Sequence, residues 1–124
     1  MLAEGWVLLS SEILESSGVS SEIMSNSDPF QAWFDADLLP ETLVVRGRQP
    51  GDRINPLGME RHSTKISDLF VNLKVPQRLR ANWPLVCAGP EILWVPGLRQ
   101  SNHARVTDQT RRVIRLALTK SDIS

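Results

Sequence analysis

Apolar positions along this chain fall in short runs punctuated by proline and glycine, the pattern of many brief strands and few helices. GWVLLSSEIL (Gly5 to Leu14) predicts a strand with Trp6, Leu8 and, near its end, Ile13 turned inward. ESSGVSSEIMSNSD (Glu15 to Asp28) holds six serines and one glycine and is too polar to pack on its own, which predicts a flexible loop or linker. AWFDADLL predicts a short strand running into a turn at Pro40. TLVVR (Thr42 to Arg46), bounded by Pro40 and Pro50-Gly51, is rich in β-branched residues and predicts another strand. QPGDR predicts a tight turn, because Pro50 presets φ and Gly51 permits positive φ. NPLG (Asn55 to Gly58) predicts a second turn.

Helical periodicity is confined to the middle of the chain. Ile66, Leu69, Phe70 and Leu73 fall at the spacing of one buried face, predicting a helix from Lys65 to Leu73 with Ser63 or Thr64 as its cap. Lys65 and Asp68 fall on the other side. Pro76 suits the first turn of a second short helix, Pro76 to Asn82, which Pro84 ends. PLVCA and EILWV then predict two strands around Gly89-Pro90, the second closed by Pro96-Gly97. TRRVIRLAL alternates, with Ile114, Leu116 and Leu118 on one face and Val113, Arg115 and Ala117 on the other, as in a half-buried strand. The expected fold class is α+β, mainly β: sandwich-like strands with two short adjacent helices. Residues 1–27 are expected to be a leader strand and Ser-rich linker at the end of a preceding region, and residues 28–124 the domain proper.

Charge changes this picture, although the formal net charge of the 124 residues is +0. Residues 1 to 40 hold seven acids and no Lys or Arg, whereas residues 41 to 124 hold all 14 Lys and Arg against the other seven acids, a balance of +7. A basic unit behind an acidic leader suggests a polyanionic partner; a solvated surface beside an acidic neighbour is the alternative. Cys87 is the only cysteine, which excludes an intrachain disulfide or a cysteine metal cluster and fits a reducing, cytosolic compartment. No apolar run approaches the ~20 residues of a membrane helix, and no signal-peptide pattern opens the chain.

Candidate chemistry is sparse. Neither a GxxxxGK[ST] nor a GxGxxG loop occurs. His62 and His103 stand 41 residues apart without companion ligands, so neither catalytic nor metal-binding residues are expected. Cys87 in LVCAG reads as a buried, inert core thiol, and Asp52 as a turn stabiliser or a partner for a nearby arginine. Nucleophile, base and oxyanion donors are nowhere assembled.

The basic residues are the better candidates: Arg46, Arg48, Arg53, Lys65, Lys74, Arg78, Arg80, Arg99 and Arg105. Arg46 and Arg48 leave a strand two residues apart and can share a face. A lysine at position 65, in the first turn of a helix, is explained better by an external anion than by the helix dipole. Lys74, Arg78 and Arg80 cluster at the helix junction, while Arg99 and Arg105 flank QSNH, a loop with donors for phosphate and sugar oxygens. Arginine forks suit phosphate, and such contacts position a nucleic acid without reading its sequence. The alternative for each is a solvated or internally paired side chain. Trp94, in ILWVPG, suits the core; Trp83, beside Pro84, suits either core or base stacking. With no tyrosine and three phenylalanines, a stacking platform is not evident, which favours helical RNA read by shape and backbone.

Three segments, VVRGRQPGDRINPLGM, KISDLFVNLKVPQRLRANWPLV and ILWVPGLRQSNHARVT, resemble the C-terminal domain of the tRNA(Ile)-lysidine synthetase family. That pattern runs R-x-R-x-P-G-D-R, P-L-G-M, K-[LI]-x-D-x-F, K-[VI]-P-x-x-x-R-x-x-x-P-L-V, I-x-W-V-x-G and A-R-V-T. It is met here from Arg46, Arg48 and Pro50-Gly51-Asp52-Arg53 through Lys65, Lys74, Pro76 and Arg80 to Trp94, Gly97, Arg105 and Thr107. The likeness covers about residues 32 to 118. It implies a β-sandwich with helices, similar to a domain of the phenylalanyl-tRNA synthetase β subunit. It also implies a parent ligase that uses ATP to attach lysine to the wobble cytidine of an isoleucine tRNA with a CAU anticodon. The chemistry would belong to an N-terminal PP-loop catalytic domain with an SGGxDS motif; this chain has no SGG, so it is expected to be inactive alone and to carry no cofactor. The implied role is to hold the tRNA body, around the acceptor stem, with the basic residues above as contacts; the alternative is a structural or dimerisation domain, including a homodimer. One departure stands out: many members have a Gly- and Lys-rich stretch after P-L-G-M, where this chain has ERHST.

Overall fold

Nine strands, two helices and one 3-10 turn (Ala36–Leu38) form over the described residues, which in this computed structural model are 6–13, 28–58 and 62–120. In chain order the strands are β1 Trp6–Ile13, β2 Gln31–Asp35, β3 Val44–Arg46, β4 Arg53–Ile54 and β5 Thr64–Lys65. Helices α1 (Ile66–Asn72) and α2 (Gln77–Arg80) follow, then β6 Leu85–Ala88, β7 Glu91–Val95, β8 Arg99–Gln100 and β9 Val113–Lys120. The Ser-rich stretch expected to be a linker lies, apart from Asp28, outside the described residues, as do residues 59–61 of the departing loop.

The strands build three antiparallel sheets, ordered β1-β9-β2, β3-β6-β7-β8 and β4-β5. β9 is the middle strand of the first. It runs from Trp6↔Lys120 to Ile13↔Val113 against β1, and from Gln31↔Ala117 to Asp35↔Val113 against β2. Thus β1, assigned above to a preceding region, is paired along its whole length with the last strand. Trp6 also stacks on Phe30, ring centroids 5.8 Å apart.

The β6–β7 hairpin is buried on both sides, which explains its unbroken apolar run. On one side Val45, Val86, Leu93 and Trp94 meet Ala32, Phe34, Leu116 and Leu118 of the first sheet. On the other, Leu85, Cys87, Ile92 and Val95 meet Ile54, Ile66, Leu69, Phe70 and Val75 from β4, α1 and the segment after α1. The second sheet is therefore the middle layer. The fold is mainly β, with two short neighbouring helices, as expected. A bulge adjusts the hairpin: the register passes from Val86↔Trp94 to Cys87↔Ile92, leaving Leu93 over. Leu93 and Trp94 consequently both serve the first core while Ile92 and Val95 serve the second.

Two local expectations are corrected. Ser63 and Thr64 do not cap α1: its N-cap is Lys65, without a side-chain cap, and Thr64–Lys65 is a strand. The Ile66 N–H donates instead to the Asp52 carbonyl at 2.9 Å, so a tertiary contact replaces the local cap. Val113, on the outward face of β9, is fully buried because Trp33 and Val106 cover it.

Candidate nucleic-acid interface

The PGDR turn organises the basic residues around it. Gly51 has φ +84° and the Asp52 N–H donates to the Gln49 carbonyl at 3.2 Å, closing the turn that Pro50 presets. The Asp52 carboxylate accepts the Gln49 N–H at 2.7 Å and both Arg46 η nitrogens, at 2.8 and 3.1 Å. Burial pushes the Asp52 carboxyl up, but the Arg46 bond, the Gln49 amide and the charges of Arg46 and Arg48 together hold it below the usual range. Arg46 Nη1 donates further to the Gly47 carbonyl at 2.9 Å. Its side chain is 21% exposed, and the Asp52 bond raises its pKa. Arg46 was expected to reach a phosphate; the structure commits both of its η nitrogens to the turn.

From that turn the chain enters the β4–β5 ribbon, where Arg53 lies directly opposite Lys65. Arg53 Nε donates to Ser63 Oγ at 3.0 Å and Nη2 to the Ser63 carbonyl at 3.3 Å. Lys65 is exposed. On the other side, Gly47 lies against the end of α2, so close that a Cβ there would stand 2.8 Å from the Ala81 carbonyl oxygen. Arg48, exposed, follows Gly47.

The helix junction supplies the remaining cations of this side. α1 ends in a Schellman arrangement: the Lys74 N–H donates to the Val71 carbonyl and the Val75 N–H to the Phe70 carbonyl, with Lys74 at φ 58°. Lys74 and Arg78 are exposed. Arg80 is half-buried, and its Nε donates to the Val75 carbonyl at 2.9 Å. Arg48, Arg53, Lys65, Lys74, Arg78 and Arg80 thus belong to one contiguous set of segments around the PGDR turn and α2. Among the described residues, none of them forms an ion pair with a carboxylate, although the Arg48 charge acts on Asp52.

Arg99 and Arg105 are placed apart, Arg99 on β8 at the opposite edge of the second sheet from β3 and Arg105 in the loop beyond it. Arg99 Nη1 donates to the Leu98 carbonyl at 3.3 Å. The polar loop between them uses one side chain as a donor and two as acceptors. Gln100 Nε2 donates to the Trp33 carbonyl, Ser101 Oγ accepts the His103 N–H and Asn102 Oδ1 accepts the Gly58 N–H. These bonds tie the loop to β2 and to the NPLG turn. Arg111 is exposed beside Arg112, whose Nη1 donates to Asp37 Oδ1 at 2.9 Å.

The tryptophans serve packing. Trp33 and Trp94 are buried, and Trp83, half-buried, donates to the Pro96 carbonyl at 3.0 Å with its ring 6.3 Å from that of Phe70. Cys87 is buried as expected; burial pushes its thiol up, although the Arg46 charge opposes this. A groove of about 460 Å³ opens beside β1 and β9, lined mainly by Leu8, Leu39, Pro40, Leu43, Ile114 and Leu116, with Glu41 and Arg112 as its charged groups. It presents no His or Cys. No helix among the described residues is long and apolar enough to cross a membrane.

The layered, mainly β architecture is shared with two solved proteins. The crystal structure of the TilS C-terminal domain superposes with a TM-score of 0.76 at 27% identity, covering 99% of this chain and 89% of that one. An N-terminal fragment of the phenylalanyl-tRNA synthetase β subunit from Pyrococcus horikoshii has the same fold, with a TM-score of 0.63 at 15% identity over 95% of this chain and 39% of that one. Residues 43–117 match the TilS substrate C-terminal domain, and the chain belongs to that family. Its relatives include the tRNA(Ile)-lysidine synthase of Geobacter sulfurreducens, 43% identical over 81 residues. That match takes in 65% of this chain but 17% of the relative's length.

Proposed function

We propose that this domain holds and positions tRNA for a tRNA(Ile)-lysidine synthase, through phosphate contacts made by exposed cations around the PGDR turn and the helix junction. The observation that carries the reading is the set Arg48, Arg53, Lys65, Lys74 and Arg78: exposed, carried by neighbouring segments and forming no ion pair with a carboxylate among the described residues. Such cations release counterions when they meet a polyphosphate, and the unreactive surface around them suits holding better than chemistry. In this reading ATP, lysine and the ligation at the wobble cytidine belong to a catalytic domain of the parent enzyme, in the cytoplasm. The present domain is inactive alone. Residues 1–27 lead from the preceding region, with β1 the part of that leader built into the sheet.

The test is binding of isoleucine tRNA with a CAU anticodon to this domain. Affinity that falls steeply with salt supports the reading, and no binding at low salt rejects it. A second reading, self-association, is favoured by β1: it is an edge strand, with Val7 39% and Leu9 52% exposed. A mass in solution that rises with concentration and falls on Leu9→Lys supports that alternative.

A further inference from the structure

The β4–β5 ribbon sets two cations face to face. Arg53 and Lys65 are direct partners in an antiparallel pair, so their side chains leave the same face with Cβ atoms about 5 Å apart. Like charges so placed weaken a ribbon, and this one has only two residues per strand. The chain has nevertheless placed no carboxylate against either one among the described residues. Nor is the arginine loose: Ser63 holds Nε and Nη2 from one side, leaving Nη1 to face an outside acceptor. The Asp52 carbonyl accepts the Ile66 N–H directly after Lys65, which fastens the ribbon to the PGDR turn.

We propose that Arg53 and Lys65 form a clamp for a single phosphodiester group of the bound nucleic acid. The clamp rests on the tRNA-holding reading above and makes it specific: one phosphate relieves the repulsion that the ribbon otherwise carries. A fork and a point charge converging on one anion also fix the register of the backbone better than either alone. The ligand class is a nucleic-acid backbone phosphate, with no base contact required.

The experiment is a double-mutant cycle in the 124-residue chain. Binding of isoleucine tRNA is measured against salt for wild type, Arg53→Gln, Lys65→Gln and the double variant, with Arg78→Gln as a reference outside the clamp. If both residues hold one phosphate, each single variant weakens binding. The double variant then flattens the log–log salt slope by about 0.7–0.9 in total, the value for one phosphate, instead of about twice that. Lys65→Gln also raises the melting temperature of the free domain at low salt, a gain that fades as salt screens the pair. Additive losses with a doubled change in slope would mean two separate phosphates and overturn the clamp. Wild-type affinity in both single variants, with Arg78→Gln weakened, would overturn the clamp and leave the tRNA reading standing. No tRNA binding by the wild-type chain at low salt would overturn both.

Discussion

The guanidinium of Arg46 grips the carboxylate of Asp52 at two points, Nη1 to Oδ2 at 2.8 Å and Nη2 to Oδ1 at 3.1 Å, across the turn that joins β3 to β4. The pair is mostly shielded from water, with side chains 21% and 12% exposed. Removing either partner strands the other in a half-buried site. Asp52→Ala is expected to cost about 2 kcal/mol, measured by urea unfolding at neutral pH.

The same pair predicts a pH dependence. The Asp52 carboxyl is held below its usual range, so the unfolded chain takes up its proton first as pH falls. The pair's contribution is fully present above the unfolded value of about 3.9 and is lost as pH falls through the folded value. Stability of the wild type should therefore drop more steeply below about pH 4 than that of Asp52→Asn. Urea midpoints from pH 2 to 7 check this, and parallel curves would contradict it.

Gly47 has no room for a side chain. A Cβ there would stand 2.8 Å from the Ala81 carbonyl oxygen, a backbone atom that cannot swing aside. Gly47→Ala should cost about 1–3 kcal/mol by displacing α2 from β3. Thermal unfolding of the variant measures it.

Lys74 occupies a position where glycine is favoured. It has φ 58° at the end of α1, in the left-handed region that costs a residue with a Cβ about 1–2 kcal/mol. Lys74→Gly should stabilise the domain by about 1 kcal/mol, after allowing for the extra freedom of glycine in the unfolded chain. It should at the same time weaken tRNA binding. A gain in melting temperature with unchanged affinity would remove Lys74 from the proposed interface.

Cys87 should be inert in the folded domain. It is 2% exposed within the core between β6 and α1, and burial pushes its thiol up. Iodoacetamide at pH 8 should modify it only after unfolding; rapid modification of the native chain would contradict the packing described.

Much of this was legible in short-range chemistry. Pro50-Gly51 fixed a turn, Ile66, Leu69 and Phe70 fixed the buried face of α1, and the apolar run around Cys87 fixed a buried hairpin. What escaped depended on partners distant in sequence. Ser63 and Thr64 look like helix caps, but Arg53 and Ile54 recruit this segment into a ribbon, and Asp52 takes over the first helical amide. The run ILWV shows no alternation, so nothing in it marked the bulge that turns Leu93 and Trp94 the same way. The union of β1 with β9 spans nearly the whole chain and has no local signal. Around the PGDR turn, the sequence singled out the basic residues but not the division of labour among them. Arg46 looked like its neighbours until Asp52 was seen to occupy it.

That division of labour also selects the variant for the central test. Replacing Arg46 would weaken the fold and binding together, whereas Arg48 and Arg78 are exposed. The decisive measurement is the affinity of the domain for isoleucine tRNA between about 50 and 200 mM salt, for the wild type and for Arg48→Ala/Arg78→Ala. A steep salt slope in the wild type, flattened in the variant at unchanged melting temperature, is the predicted result. Absence of binding at the lowest salt, or the same steep slope in both proteins, would contradict the claim that these cations hold the tRNA.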